Sequence, residues 1–303
     1  MRVAIDVSLT ARRQPGERVL EEKSDRSVVL NRLSRLPPFH PTVLRLLSIS
    51  IEGDSAVDEY EDIFGSDPAL AADLLLVANS AEFGFQARVS GIRHAVAVLG
   101  LERVSSLSFT IAMQFYLRRS PRMAFVQPIW SHSLATACIS ETLGKTLGAP
   151  HSGLYSAALV HDVGRLGLLM SMGQGYADLL AREFQDIDES ISCELTSFGS
   201  THMEAGEVLA QGWGFPAAMC SCIRRHHAGS AATKSDEVLS VVRSACEIAA
   251  ELGYGEVNCA SGERRDGAAR GLTDELLARP ELAPERLRSQ VQQRLAYCQS
   301  RFG

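Results

Sequence analysis

From Val28 onward the apolar residues of this chain recur every three or four positions, and no stretch between those runs alternates with the period of two that marks a β-strand. Helical stripes without strand faces leave few solutions. The stripes must bury against one another, so the expected fold class is all-α, a two-lobed helical bundle. At 303 residues the chain can fill a sizeable core. We expect an N-terminal extension over 1–27, a first helical lobe over 28–118, a second over 119–255, and a linker with a closing helix over 256–303.

Local punctuation divides the helices. Val28, Val29, Leu33 and Leu36 share a face, the Pro37-Pro38 pair stops that helix, and Pro41 opens PTVLRLLSIS. Ser55 with Asp58 resembles a capping box, and Asp67 before Pro68 places an N-cap next to a proline at the first helical position. Ser90 is expected to start a helix carrying Ile92, Ala95, Val96 and Leu99, ended by Gly100, with LERVSSLSFTIAMQFYL as the next helix. A break at Arg118-Arg119-Ser120-Pro121 leads into QPIWSHSLATACISETLGKTLG, SAALVHDVGRLGLLMSM, YADLLAREF, THMEAGEVLAQGW, PAAMCSCIRRHH and EVLSVVRSACEIAAELG. The Gly-, Arg- and Glu-rich SGERRDGAARG reads as a mobile linker, and a last helix is expected near 285–301.

Composition removes several functions. A net charge of −6 and a pI near 5.8 provide no global attraction to a phosphate backbone, so nucleic acid is disfavoured as a main partner. No run reaches the roughly 18 to 20 apolar residues of a membrane span, and MRVAIDVSLTARRQPGER lacks the apolar core and cleavage site of a secretion signal. The expected location is therefore cytoplasmic. Seven scattered cysteines, an odd number, argue against a disulfide framework and suit a reducing compartment.

The chemistry concentrates in the second lobe, where six of the eight histidines fall between positions 132 and 227. His161-Asp162 sits within the apolar run LVHDVGRLGLL, with His132 before it and His202, His226 and His227 after it. Neutral imidazoles and carboxylates suit divalent transition metals, and a bridging carboxylate can hold two of them for phosphoryl chemistry. On a continuous helix, adjacent residues project about 100° apart, so a metal is expected in the wedge between His161 and Asp162. Asp162 without a partner in such an apolar run would be costly, which itself points to pairing or a metal. A single histidine is usually a hydrogen-bonded structural residue, and His40, His94 and His151 are read so. His226 and His227 also fit a helix C-terminus, where positive side chains are favoured.

These segments resemble a known family. LPPFHPTVLRLL, SDPALAADLLLVANSAEFG and IRHAVAVLGLERV are similar to the HDOD domain, a helical relative of the HD and HD-GYP phosphohydrolases in bacterial signalling. HDVGRLGLL, THMEAGEVLAQGWGFP and IRRHH are similar to the HD core, so the resemblance spans about residues 28–255. It implies His132, His161 and Asp162 as ligands of one metal, and Asp162, His202, His226 and His227 as ligands of a second, with Asp162 bridging. Arg165 stands where the catalytic relatives carry a phosphate-facing base, so Asp162 and Arg165 are the candidate catalytic residues. Iron, manganese, zinc or nickel would suit such a set.

Two departures from the resemblance bear on catalysis. Cys246 stands where the catalytic relatives place a ligating aspartate, with Glu247 beside it, and no Gly-Tyr-Pro motif follows His226-His227. A thiolate at Cys246 can bind zinc or iron, although a buried thiol is more often an inert core residue. Two functions stay open. The preferred one is a regulatory module that binds a metal, a nucleotide-like ligand or a signalling protein without necessarily turning over a substrate. The alternative is a metal-dependent phosphohydrolase or phosphodiesterase acting on a nucleotide or cyclic dinucleotide. A blander reading makes the histidines hydrogen-bonded core residues.

Overall fold

A computed structural model gives the fold, describing residues 26–47, 49, 56–80, 88–117, 123–149, 153–228, 236–260 and 278–302. The first stretch forms α1 (Arg26–Leu33), α2 (Pro41–Leu47), α3 (Ala56–Gly65), α4 (Pro68–Ala78), α5 (Ile92–Leu99) and α6 (Leu101–Leu117). The second forms α7 (Met123–Leu147), α8 (Leu154–Val160), α9 (Val163–Met172), α10 (Gln174–Leu180), α11 (Ile187–Phe198), α12 (His202–Trp213), α13 (Ala217–Arg225) and α14 (Glu237–Glu251), and a closing helix follows over Pro284–Phe302. One parallel pairing joins Glu183–Phe184 (β1) to Asn258–Cys259 (β2). The all-α expectation holds, with α7 as the spine against which α8, α14 and the closing helix pack. Among the described residues no single helix is long and apolar enough to cross a membrane.

Several boundaries follow the sequence logic. The Asp67 carboxylate accepts from the Leu70 amide at 3.1 Å and caps α4, with Pro68 inside the first turn. Gly100, at φ +84°, ends α5 in a conformation that L side chains rarely adopt, and α6 leaves at 116° to α5. Other boundaries differ. Gly91, not Ser90, caps α5, and the Ser90 amide donates instead to His94 Nδ1. The α1 helix ends at Leu33, ahead of the proline pair. The expected helix over YADLLAREF stops at Leu180, since Glu183 and Phe184 pair with β2. Residues 1–25, Ser55, His151 and SGERRDGAARG lie outside the described residues.

One continuous apolar core runs through both stretches. Its junction is aromatic: the buried Phe39 ring lies 5.4 Å from Phe109, 5.7 Å from Trp213 in a stacked arrangement, and 5.5 Å edge-on from Phe215. Such pairs add about 0.5–1.5 kcal/mol each beyond burial. The α1 helix packs on α9 and α12, so the start of the first stretch clamps the helices that begin at Asp162 and His202.

Candidate metal centre

The expected continuous helix through LVHDVGRLGLL is broken at the two residues that matter. The α8 helix ends at Val160, His161 and Asp162 form a turn, and Asp162, at φ −101° and ψ 16°, is the N-cap of α9. Its carboxylate makes no capping hydrogen bond, and neither oxygen receives a hydrogen bond from any described residue. A carboxylate at the start of a helix is favoured by the helix dipole, but a buried one without donors carries a full desolvation cost. Asp162 is 0% exposed, so water is kept from it as well.

Four imidazoles surround it. His132 comes from the middle of α7, His161 from the turn, His202 from the first position of α12, and His226 from the end of α13. Each has its Nδ1 occupied: His132 on the Tyr254 carbonyl at 2.6 Å, His161 on the Ala158 carbonyl at 2.6 Å, His226 on the Ile223 carbonyl at 2.7 Å and His202 on the Glu194 carboxylate at 2.7 Å. Carbonyl and carboxylate oxygens only accept, so each Nδ1 carries a proton, and a ring with no second proton turns an Nε2 lone pair inward. The Nε2 atoms of His132 and His161 then face each other at 3.1 Å, and those of His202 and His226 at 3.3 Å. Two lone pairs at that distance repel unless a cation or a shared proton lies between them.

Asp162 divides its oxygens between the two pairs. Oδ1 stands 3.4 Å from His202 Nε2 and 3.3 Å from His226 Nε2, while Oδ2 stands 3.9 Å from both His132 Nε2 and His161 Nε2. That is the arrangement of a bridging carboxylate, and the orphaned oxygens and opposed lone pairs together fit a divalent metal. Asp162, His202, His226 and His227 offer donor atoms within 4.8 Å of one another, as do His132, His161 and Cys246. Cys246 Sγ lies 3.4 Å from His132 Nε2, and Glu247 joins neither group. The structure thus brings all seven proposed ligands into one cluster. His40 and His94 lie in the first stretch, His40 3.4 Å from the α4 cap Asp67.

The electrostatics follow from burial. Burial pushes the His161 imidazole down to about 3, and lowers His226 and His227 in the same direction, so these rings stay neutral and free to ligate. For Asp162 burial acts upward but is outweighed, first by the Arg165 guanidinium, and the group lies well below the usual carboxylate range. Arg165 is fully buried, with Nε 3.5 Å from Asp162 and NH1 donating to Glu194 at 2.8 Å.

Two carboxylates in this cluster were not singled out from the sequence. Glu194, in α11, accepts from Arg165, from the Tyr176 hydroxyl at 2.7 Å, and from both the amide and Nδ1 of His202 at 2.8 and 2.7 Å. Burial would raise its carboxyl, but His202 and Arg165 hold it at about 2. Glu256 is 4% exposed and stands 3.4 Å from His132 Nδ1, 3.8 Å from His227 Nε2 and 3.9 Å from Arg165. It falls at the first residue of the expected linker. The segment is held because Tyr254 accepts from His132 and β2 pairs with β1.

The sequence matches the HDOD domain family over residues 36–229. A protein of Treponema pallidum, described only as uncharacterized, is 26% identical over 208 residues; the match takes in 66% of this chain and 39% of that relative's length. Among solved structures, an HDOD domain protein of unknown function from Geobacter sulfurreducens is similar at TM-score 0.66 and 24% identity, covering 91% of this chain and 95% of its own. A proposed signal transduction protein from Marinobacter aquaeolei reaches 0.67 at 20% identity, over 93% and 66%. A proposed metal-dependent phosphohydrolase from Shewanella amazonensis reaches 0.56 at 20%, over 88% and 97%. At these identities the structural likenesses establish the fold.

Proposed function

The chain belongs to the HDOD family, and from that membership we propose that it is a bacterial signalling module with a partly retained HD-type metal site, acting by ligand or partner binding without necessarily turning over a substrate. The observation that carries this reading is closure. His132, His161, Asp162, Arg165 and His202 are all 0% exposed, and the 254–257 segment covers them with Glu256 turned inward beside Arg165. A phosphoester would need that segment to move before it could reach Arg165.

The residues divide the work. His132 and His161 would hold one divalent metal, and His202, His226 and His227 a second, with Asp162 between them. When bound, such a metal would supply Lewis-acid polarisation and water activation. Glu194 fixes the His202 tautomer and anchors Arg165, whose guanidinium balances the buried carboxylates. A nucleotide-like ligand or a signalling protein that favoured the open 254–257 segment would shift the chain between two arrangements by its difference in affinity.

The intact bridging geometry at Asp162 favours one alternative, a metal-dependent phosphohydrolase acting on a nucleotide or cyclic dinucleotide. Names of both classes occur among the similar structures. Elemental analysis of the chain purified without a histidine tag, with a phosphatase and phosphodiesterase screen in manganese, iron, zinc and nickel, separates them. Bound metal without turnover is the expected result. Turnover abolished by Asp162→Ala would make the protein an enzyme.

A further inference from the structure

We infer that Glu256 supplies the hard ligand that Cys246 does not, closing the metal site of His132 and Asp162 with a carboxylate from the segment after α14. The inference rests on the metal-site reading above. Glu256, His132 and Asp162 offer donor atoms within 4.8 Å of one another, all three buried. Cys246 also reaches His132, at 3.4 Å from Nε2, and groups with His132 and His161, so both a thiol and a carboxylate stand beside His132.

Charge and geometry decide between them. Among the described residues, three nitrogens face Glu256, at 3.4, 3.8 and 3.9 Å, beyond the roughly 2.7–2.9 Å of a charge-assisted hydrogen bond. The nearest, His132 Nδ1, already donates to Tyr254. A divalent cation held by His132 Nε2 and Asp162 would give this buried carboxylate a stronger partner than these. The backbone also delivers it by design of the turn. Gly253, at φ +92°, reverses the chain after α14, Tyr254 locks onto His132, and the Ala260 amide donates to the Phe184 carbonyl at 2.8 Å beyond the segment. Glu256 is thus held between two fixed points, with its side chain buried beside His132 and Arg165. A site completed by oxygen favours manganese or iron over the softer preference a thiolate would set.

The test is Mn2+ binding to the full chain, by calorimetry and elemental analysis, with wild type, Glu256→Gln and Cys246→Ser. We expect two ions in the wild type and in Cys246→Ser, and at least about a tenfold weakening of one of them in Glu256→Gln. Circular dichroism establishes that each variant folds. Co2+-loaded wild type supplies a readout that needs no variant: an oxygen- and nitrogen-ligated site gives no thiolate-to-cobalt charge-transfer band. Two ions of unchanged affinity in Glu256→Gln, or a thiolate band in the wild type, would overturn the assignment of Glu256 alone. No metal in the wild type would overturn the metal-site reading and this inference with it.

Discussion

Gly164 lies directly against the backbone of His202: a Cβ on residue 164 would stand 1.7 Å from the His202 carbonyl oxygen and 2.6 Å from the Gly206 amide nitrogen. Across the crossing, a Cβ on Gly206 would meet the Ile223 side chain at 2.6 Å and the Gly164 amide at 3.1 Å. The two glycines let α9 and α12 touch backbone to backbone, and that closeness brings His202 Nε2 to 3.4 Å from Asp162. At Gly164 the atoms in the way are all backbone, so no flexible side chain can yield there.

Gly164→Ala should therefore destabilise the chain by at least about 1–3 kcal/mol and weaken metal binding together with stability, because separating the helices draws His202 away from Asp162. Urea unfolding and metal titration on the same preparation test this. Stability within about 0.5 kcal/mol of wild type would show that the crossing relaxes without strain.

Glu194 makes a different prediction, since its two oxygens serve two sets of donors. Glu194→Ala leaves Arg165 buried without its carboxylate and should cost about 3–5 kcal/mol. Glu194→Gln must turn an NH2 toward either Arg165 or His202, so the fold should survive while metal affinity falls about 10- to 100-fold. Metal affinity unchanged in Glu194→Gln would remove Glu194 from the support of the site.

The legibility of this site in the sequence depended on how each residue is supplied. His161 and Asp162 were visible because two polar residues interrupt an apolar run, yet that run concealed the helix break: Leu, Val and Gly on both sides fit one helix as well as two. Asp162 as an N-cap without a capping bond is a tertiary choice: its carboxylate is turned toward the four imidazoles. Helix α11 went unnoticed because ESISCELTSF mixes Ser, Cys and Thr with few large apolar residues; its start is fixed by Asp186 accepting from the Glu189 amide at 2.9 Å. Glu194 and Glu256 resemble any surface glutamate in one dimension. Only the meeting of α11 with α12, and of the 254–257 segment with α7, gives them partners.

The aromatic junction is a third test. Phe39 lies within LPPFHP, outside any helix, yet its ring is fully buried among Phe109, Tyr116, Trp213 and Phe215. Phe39→Ala should cost about 3–5 kcal/mol, because rings from α6 and from the end of α12 cannot both collapse into the space. Thermal unfolding reads it directly; a loss below about 1 kcal/mol would mean the two stretches are held together elsewhere.

Acid supplies the last prediction, and its sign follows from the neutral imidazoles. His161 is held at about 3 by burial, against 6.5 for the unpressed side chain, so the unfolded chain binds its proton first as pH falls. The stabilisation is complete above about pH 6.5 and is lost progressively toward pH 3, with at most about 1.4 kcal/mol per pH unit for each such histidine. His226 and His227 are shifted the same way and steepen the decline. Chelator-treated protein should therefore show a urea midpoint that falls between pH 6.5 and pH 4, and His161→Gln should have a shallower slope than wild type at every point in that window. A wild-type midpoint that stays level from pH 6.5 to pH 4.5 would mean that these rings accept protons in the folded state, as a cluster joined by shared protons would and a set of neutral metal ligands would not.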